Sequence, residues 1–322
     1  MSKVANLTFE QRTGKWTATY AGKVLTASKN KPRLIEHVRS GNCAKAAAYG
    51  VTDVREIGET VQNIETGKTE NVEKFGINER FDFLTDFVNM VGDRTCPSLV
   101  VTGEGGLGKT FTVNQALRAA GLKSASDMPP GWQTDDALTE AQSRQVYSVV
   151  KGYSTAKGLY RTLYENRNRL VIFDDCDSVL KDPVALNVLK GALDSYEKRI
   201  ISWNAESFGD DDLPRSFEFR GGVIFISNLP IFKIDQAIRS RCICVDLSMT
   251  TAQKIERMGA IIKGGEFLPD YELVVKQKAL AFLDSMKDEA KELSLRTLIA
   301  VTKVAARGGS WERRAEYLLT CV

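Results

Sequence analysis

The eight residues Gly103-Glu104-Gly105-Gly106-Leu107-Gly108-Lys109-Thr110 match the pattern GxxxxGK[ST] at every fixed position. The pattern carries meaning only between an apolar strand and a helix, and both are present. Ser98-Leu99-Val100-Val101-Thr102 precedes it and the helical run Phe111–Ala120 follows. Glycines let the backbone N–H groups turn inward around phosphate oxygens, and the helix N-terminus adds partial positive charge. A lysine at position 109 then reaches the outer phosphates, and the Thr110 hydroxyl holds Mg²⁺. The candidate nucleotide-binding residues are therefore Gly103, Glu104, Gly105, Gly106, Leu107, Gly108, Lys109, Thr110 and Phe111.

A second apolar strand, Leu170-Val171-Ile172-Phe173, ends in two carboxylates, Asp174 and Asp175. Such a strand is expected beside the glycine-loop strand. Asp174 then faces the metal and Asp175 polarises an attacking water. Asp177, two residues on, is expected to face away. Further strand candidates are Val146–Val150, Ile200–Trp203, Val223–Ser227 and Cys242–Leu247, with helical runs between most of them. One such run, with Phe81, Leu84, Phe87, Val88 and Val91 at helical spacing, precedes the first strand. Alternating strands and helices predict an α/β fold with a mostly parallel sheet. Residues 121–140 read as an irregular loop. From Thr250 onward the chain reads as all helix, broken at Gly264-Gly265 and Pro269.

The first 50 residues have a different pattern. Leu7–Gln11, Trp16–Tyr20 and a third segment from Lys23 read as a meander of short strands. Ser28 to Pro32 offers a helix start, and Leu34, Ile35, Val38 and Ala44–Ala48 continue as helix. Residues 1–50 thus form a small βββα module. They hold nine basic and two acidic groups, a formal +7, although the whole chain is only +3. That asymmetry reads either as a polyanion-binding module or as a solvated basic face. Residues 51–75 are polar, with five glutamates, and read as a linker.

No stretch approaches the ~18–20 apolar residues that span a bilayer, and the N-terminus lacks the apolar core of a secretory signal. No CxxC pair occurs among the six cysteines, and the single histidine, His37, has no cysteine at zinc-site spacing. A reduced, cytoplasmic protein without a structural metal is expected.

Two more motifs complete an ordered set. Val223-Ile224-Phe225-Ile226-Ser227-Asn228 is a strand ending in an amide, and Ile234 to Arg241 ends in Ser240-Arg241 before the last strand. With the glycine loop and the paired acids, these motifs make the chain resemble the AAA+ ATPases over roughly residues 70–322. The resemblance implies a core over 76–249, a helical lid over 250–322, ATP and Mg²⁺ as ligands, and ATP hydrolysis. It makes Lys109 and Asp175 catalytic, Asn228 a sensor of the γ-phosphate, and Arg241 an arginine finger reaching a neighbouring subunit, with Arg239 as second candidate. Arg296, in Leu293-Ser294-Leu295-Arg296-Thr297, looks like a second sensor or is a surface helix arginine. Many members carry Glu as the second acid; Asp175 is one methylene shorter, which implies a shifted water or slow hydrolysis.

A finger acting in trans implies a homo-oligomeric ring, expected to be a hexamer. Lys151-Gly152-Tyr153 stands where family members place a loop facing the ring channel, and Gly209-Asp210-Asp211-Asp212 would repel a phosphate backbone there. The N-terminal module loosely resembles small three-stranded DNA-binding modules, with Lys15, Trp16, Tyr20 and Lys23 on its strands. Lys15, Lys23, Lys151 and Tyr153 are the candidate nucleic-acid residues, and DNA is the expected partner. The compact chain suggests a phage or viral member that moves or remodels nucleic acid. A protein remodeller gripping polypeptide with Tyr153, and a slow-hydrolysing nucleotide switch, are the alternatives.

Overall fold

A computed structural model describes residues 3–10, 15–20, 23–56, 74–129, 132, 138–194, 197–204 and 213–321. The acidic run at 209–212, residues 11–14 and 21–22, and most of the 51–75 segment lie outside them. The chain divides into two compact units, Met1–Lys74 and Phe75–Val322.

The first unit runs β1 (Lys3–Glu10), β2 (Lys15–Tyr20), β3 (Lys23–Ser28), α1 (Lys31–Arg39), α2 (Ala44–Ala48) and β4 (Val51–Glu56). The sheet order is β3-β2-β1-β4. β1 to β3 form the expected antiparallel meander, while β4 joins β1 in parallel. The expected linker therefore begins six residues too early. Val51 and Val54 are buried, but they stand three apart, and the β1–β4 register shifts between Lys3 and Val4. Strict alternation, the sequence signature of a half-buried strand, is absent there. α1 starts where Asn30 accepts a hydrogen bond from the Arg33 N–H at 3.1 Å. Its Leu34 and Val38, with Ala46 of α2, pack on Ala5, Leu7, Ala18 and Leu25. Trp16 and Tyr20 pack against the same core.

The second unit begins with α3 (Ile77–Gly92), β5 (Ser98–Thr102), α4 (Lys109–Ala119) and the short β6 (Lys123–Ser124). α5 (Glu140–Arg144), β7 (Val146–Lys151), α6 (Ala156–Glu165), β8 (Leu170–Asp174) and α7 (Pro183–Ala192) follow. The remainder is β9 (Ile200–Ser202), β10 (Ser216–Glu218), β11 (Gly222–Ile226), α8 (Gln236–Arg239), β12 (Ile243–Asp246) and four helices. Those helices are α9 (Thr251–Lys263), α10 (Leu273–Ser285), α11 (Leu295–Ala306) and α12 (Trp311–Thr320).

Six strands form one parallel sheet in the order β12-β5-β11-β8-β7-β6. Every residue of β5, β8 and β11 is buried, as befits parallel strands covered on both faces. One apolar layer joins α3 and α4 to Leu99, Val101, Ile172 and Ile224. The other joins α6 and α7 to Val100, Phe173 and Phe225, and the two phenylalanine rings stack at 5.1 Å.

Two sequence expectations are corrected. β8 does not lie beside β5, because β11 is inserted between them and bonds to both, Ile226 facing Val101 on one side and Asp174 on the other. The segment at Ile200 does not join the main sheet; β9 pairs with β10 as an antiparallel ribbon. Only Ile201 of its three residues is buried, so it lacks the two-sided burial of the central strands. The helical reading after Thr250 holds: α9 to α12 close around Met258, Ile262, Ala279, Leu283, Leu298 and Leu319.

Candidate functional site

β5 delivers the chain into the glycine loop, and three of its glycines take positive φ: Gly103 at 138°, Gly106 at 72° and Gly108 at 93°. This is backbone that L side chains rarely adopt. At Gly106 space is also short, since a Cβ would lie 3.0 Å from the Ser294 Cβ. The Leu295 N–H donates to the Gly106 carbonyl at 2.8 Å, so the loop is docked on the start of α11. Ser294 and Thr297 cap that helix reciprocally.

Lys109, at the first turn of α4, is buried. Its Nζ donates to the carbonyls of Gly103 (2.8 Å) and Glu104 (2.7 Å) and to Asn228 Oδ1 (2.9 Å). Burial lowers its pKa below the usual lysine range, and the charges of Asp175, Asp174, Asp177 and Glu104 oppose that shift. The Thr110 hydroxyl donates to Asp174 Oδ1 at 2.9 Å. The other carboxylate oxygen of Asp174 meets Lys151 Nζ at 3.1 Å. Asn228, two residues beyond the end of β11, donates from Nδ2 to Asp175 Oδ1 at 2.6 Å. It thereby links the lysine to the second acid.

A cleft of about 180 Å³ lies over these groups, lined by Gly105 to Phe111, Asp174, Asp175, Ile226, Asn228 and Arg296. Thus the glycine loop, both acids, the amide and the arginine expected from four separate stretches of sequence converge. Phe111 stands exposed at the rim. A larger hollow of about 710 Å³, lined by Trp132, Asn166 and Arg169 among others, holds none of the candidate residues.

Other candidates lie elsewhere. Arg239 and Arg241 bond back to their own segment, to the carbonyls of Ile234 and Ala237, and neither lines the cleft. Asp177 accepts from Ser227 Oγ at 2.6 Å, and it too is absent from the cleft wall. Tyr153 is 82% exposed beside Gly152. Lys151, a candidate nucleic-acid residue, is ion-paired with Asp174. Lys23 sits over the Tyr49 ring at 5.7 Å. The backbone of Lys15 pairs with Glu10 in the β1–β2 ladder.

Two contacts and one backbone conformation were not legible beforehand. Lys254 of α9 is ion-paired with Glu104 of the glycine loop. The start of α11 hydrogen-bonds the loop backbone. Asp175 has φ +56°, left-handed for a non-glycine residue. A tolerance of Asp for that conformation was the only available sequence signal.

Thr110 and Asp174 bring two hard oxygen donors together, which suits a Mg²⁺ ion that keeps its remaining ligands as phosphate oxygens and water. Among the described residues no three His, Cys, Asp or Glu side chains form a self-contained metal cage.

A six-stranded parallel sheet flanked by helices, with a glycine loop at the end of a central strand, defines an α/β protein compatible with a P-loop nucleotide-binding fold. No family model matches the chain. It is similar to the uncharacterized 36.7 kDa protein in the nrdC-mobD intergenic region of Enterobacteria phage T4, with 27% identity over 286 residues. The match covers 83% of this chain and 79% of that protein. Among the described residues no helix is long and apolar enough to cross a membrane.

Proposed function

We propose that the chain is a Mg²⁺-dependent ATPase of the AAA+ type that works as a ring and remodels or moves nucleic acid in a phage.

 The observation that carries this reading is the unbroken line Lys109–Asn228–Asp175 in one cleft, beside the Thr110–Asp174 pair. The Lys109 ammonium exchanges its carbonyl partners for outer phosphate oxygens. Asp175 accepts the proton of the attacking water, and Asn228 keeps that carboxylate oriented. Arg296 neutralises charge on the phosphate from the α11 side of the cleft. A bound Mg²⁺, held by Thr110 and Asp174, supplies charge neutralisation on the phosphates.

Arg241, which does not line its own cleft, serves the neighbouring subunit as the finger, with Arg239 as the second candidate. This makes the working form a homo-oligomer, a hexameric ring. The basic first unit supports nucleic acid as the substrate, and the likeness to a phage T4 protein supports a phage source. The exposure of Tyr153 favours a second reading, a ring that grips polypeptide.

Phosphate release from Mg-ATP tests the assignment. Asp175→Asn is expected to bind ATP and to lose turnover by about 10²-fold or more, the range of a lost general base. Asp177→Asn should keep most of its rate. The reverse pattern would overturn the assignment of the acids. Addition of duplex DNA, single-stranded DNA or an unfolded protein separates the substrate classes by which one stimulates the rate.

A further inference from the structure

Among the described side chains of the first unit's strands, the aromatic rings do not stand on an open sheet face. Trp16 and Tyr20 pack on the core under α1 and α2, and Lys23 pairs across the ladder with Tyr20. The opposite face carries Thr17, Thr19, Val24 and Ala27 among the side chains described. Among the described side chains, the exposed cations gather on the helical side. Lys29 precedes the cap of α1, Arg33 lies on its first turn, and Lys45 lies on α2; all three are exposed. Lys31 is held over the Trp16 ring at 4.4 Å. The acidic groups here do little to cancel them: α1 contains a single acid, Glu36, and Asp53 is engaged by Arg39 at 2.6 Å.

We propose that the exposed side of α1 and α2, centred on Lys29, Arg33 and Lys45, docks the phosphate backbone of duplex nucleic acid; this rests on the nucleic-acid reading above. Charge complementarity selects a polyanion. The state of the aromatics selects a duplex over a single strand. Single-strand binders interleave cations with aromatic faces on which bases stack. Here the rings of Trp16, Tyr20 and Tyr49 are partly buried against the core, and two of them carry lysines. Among the described side chains, what remains outward is charge without a stacking platform. Such a surface reads backbone geometry and leaves base sequence unread.

The test uses the full-length protein and fluorescence anisotropy with a short duplex and with its separated strand, across about 50–200 mM salt. Lys29→Gln/Arg33→Gln/Lys45→Gln is expected to weaken duplex binding roughly tenfold or more at the low-salt end. It should also lower the salt slope by up to about 2.7, at ~0.9 for each lost phosphate contact. Val24→Gln, on the opposite face, should leave both unchanged. Circular dichroism melting confirms that the triple variant folds, and Arg33→Gln alone gives a smaller effect of the same sign if it does not. If the α1–α2 variants bind like the parent while deletion of residues 1–50 abolishes duplex binding, the nucleic-acid reading stands and this face is wrong. If the parent binds no nucleic acid in a salt-dependent way, both fall. Tighter binding of the single strand than of the duplex would overturn the duplex assignment alone.

Discussion

Asp175 occupies the left-handed region at φ +56°, a conformation that costs a non-glycine residue about 1–2 kcal/mol. Two contacts hold it there: its N–H donates to the Ile226 carbonyl at 3.0 Å, and its carboxylate takes the Asn228 amide at 2.6 Å. Strain retained at such a point fits a residue selected for where its carboxylate lies. The short side chain also fits, because Asp enters this region more readily than a longer residue. At Gly106 the constraint is stricter, since both φ and space are limiting. Gly106→Ala is expected to cost about 1–3 kcal/mol in backbone strain and to push Ser294 off the loop. In a unit of this size each kcal/mol lowers the melting temperature by about 2–4 °C. Calorimetry with and without Mg-ATP checks both parts: the variant should melt lower and gain little from nucleotide. A variant that matches the parent in both would remove the docking of loop on helix from the account.

The elements depend on how the polar groups at their ends are satisfied. Arg80 of α3 is buried and donates to the carbonyls of Asp246 (3.0 Å) and Ser248 (2.9 Å), and to Gln253 at 3.3 Å. It thereby ties α3 to the end of β12 and the start of α9. Arg80→Met leaves those acceptors unpaired and is expected to destabilise the second unit by about 3 kcal/mol. Chemical denaturation reads this as a lower midpoint at an unchanged slope. Much of this level was legible in the sequence, because strong local signals define it. The glycine loop, the acid-tipped β8, the amide-tipped β11 and the helical stretch after Thr250 are where their patterns placed them, although the breaks before α11 and α12 were not read. What escaped is pairing between distant segments. Nothing in Val223–Ile226 says that it lies between β5 and β8 instead of outside them, since all three strands are uniformly apolar. β4 escaped because Val51 and Val54 break the period of two. The Lys151–Asp174 and Lys254–Glu104 pairs escaped because lysines at the ends of elements read as solvated charge.

At the scale of the whole molecule, the proposed finger requires a neighbour. Arg241→Ala is expected to leave ATP binding by one subunit intact and to cut turnover by about 10³-fold, the low end for such arginines. Mixing it with Lys109→Ala subunits should restore part of the rate, because some interfaces then pair an intact loop with an intact finger. Absence of rescue in a mixture that sediments as an oligomer would place Arg241 outside the reaction. All of this rests on one claim, that the cleft over Lys109 binds Mg-ATP. Isothermal titration of a slowly hydrolysed ATP analogue, with Mg²⁺ and with chelator, tests that claim most directly. The account expects saturable binding by the parent that weakens without Mg²⁺, and a loss of tenfold or more, about 1.4 kcal/mol, in Lys109→Ala. Equal affinity in parent and variant, or no binding by the parent at all, would contradict it.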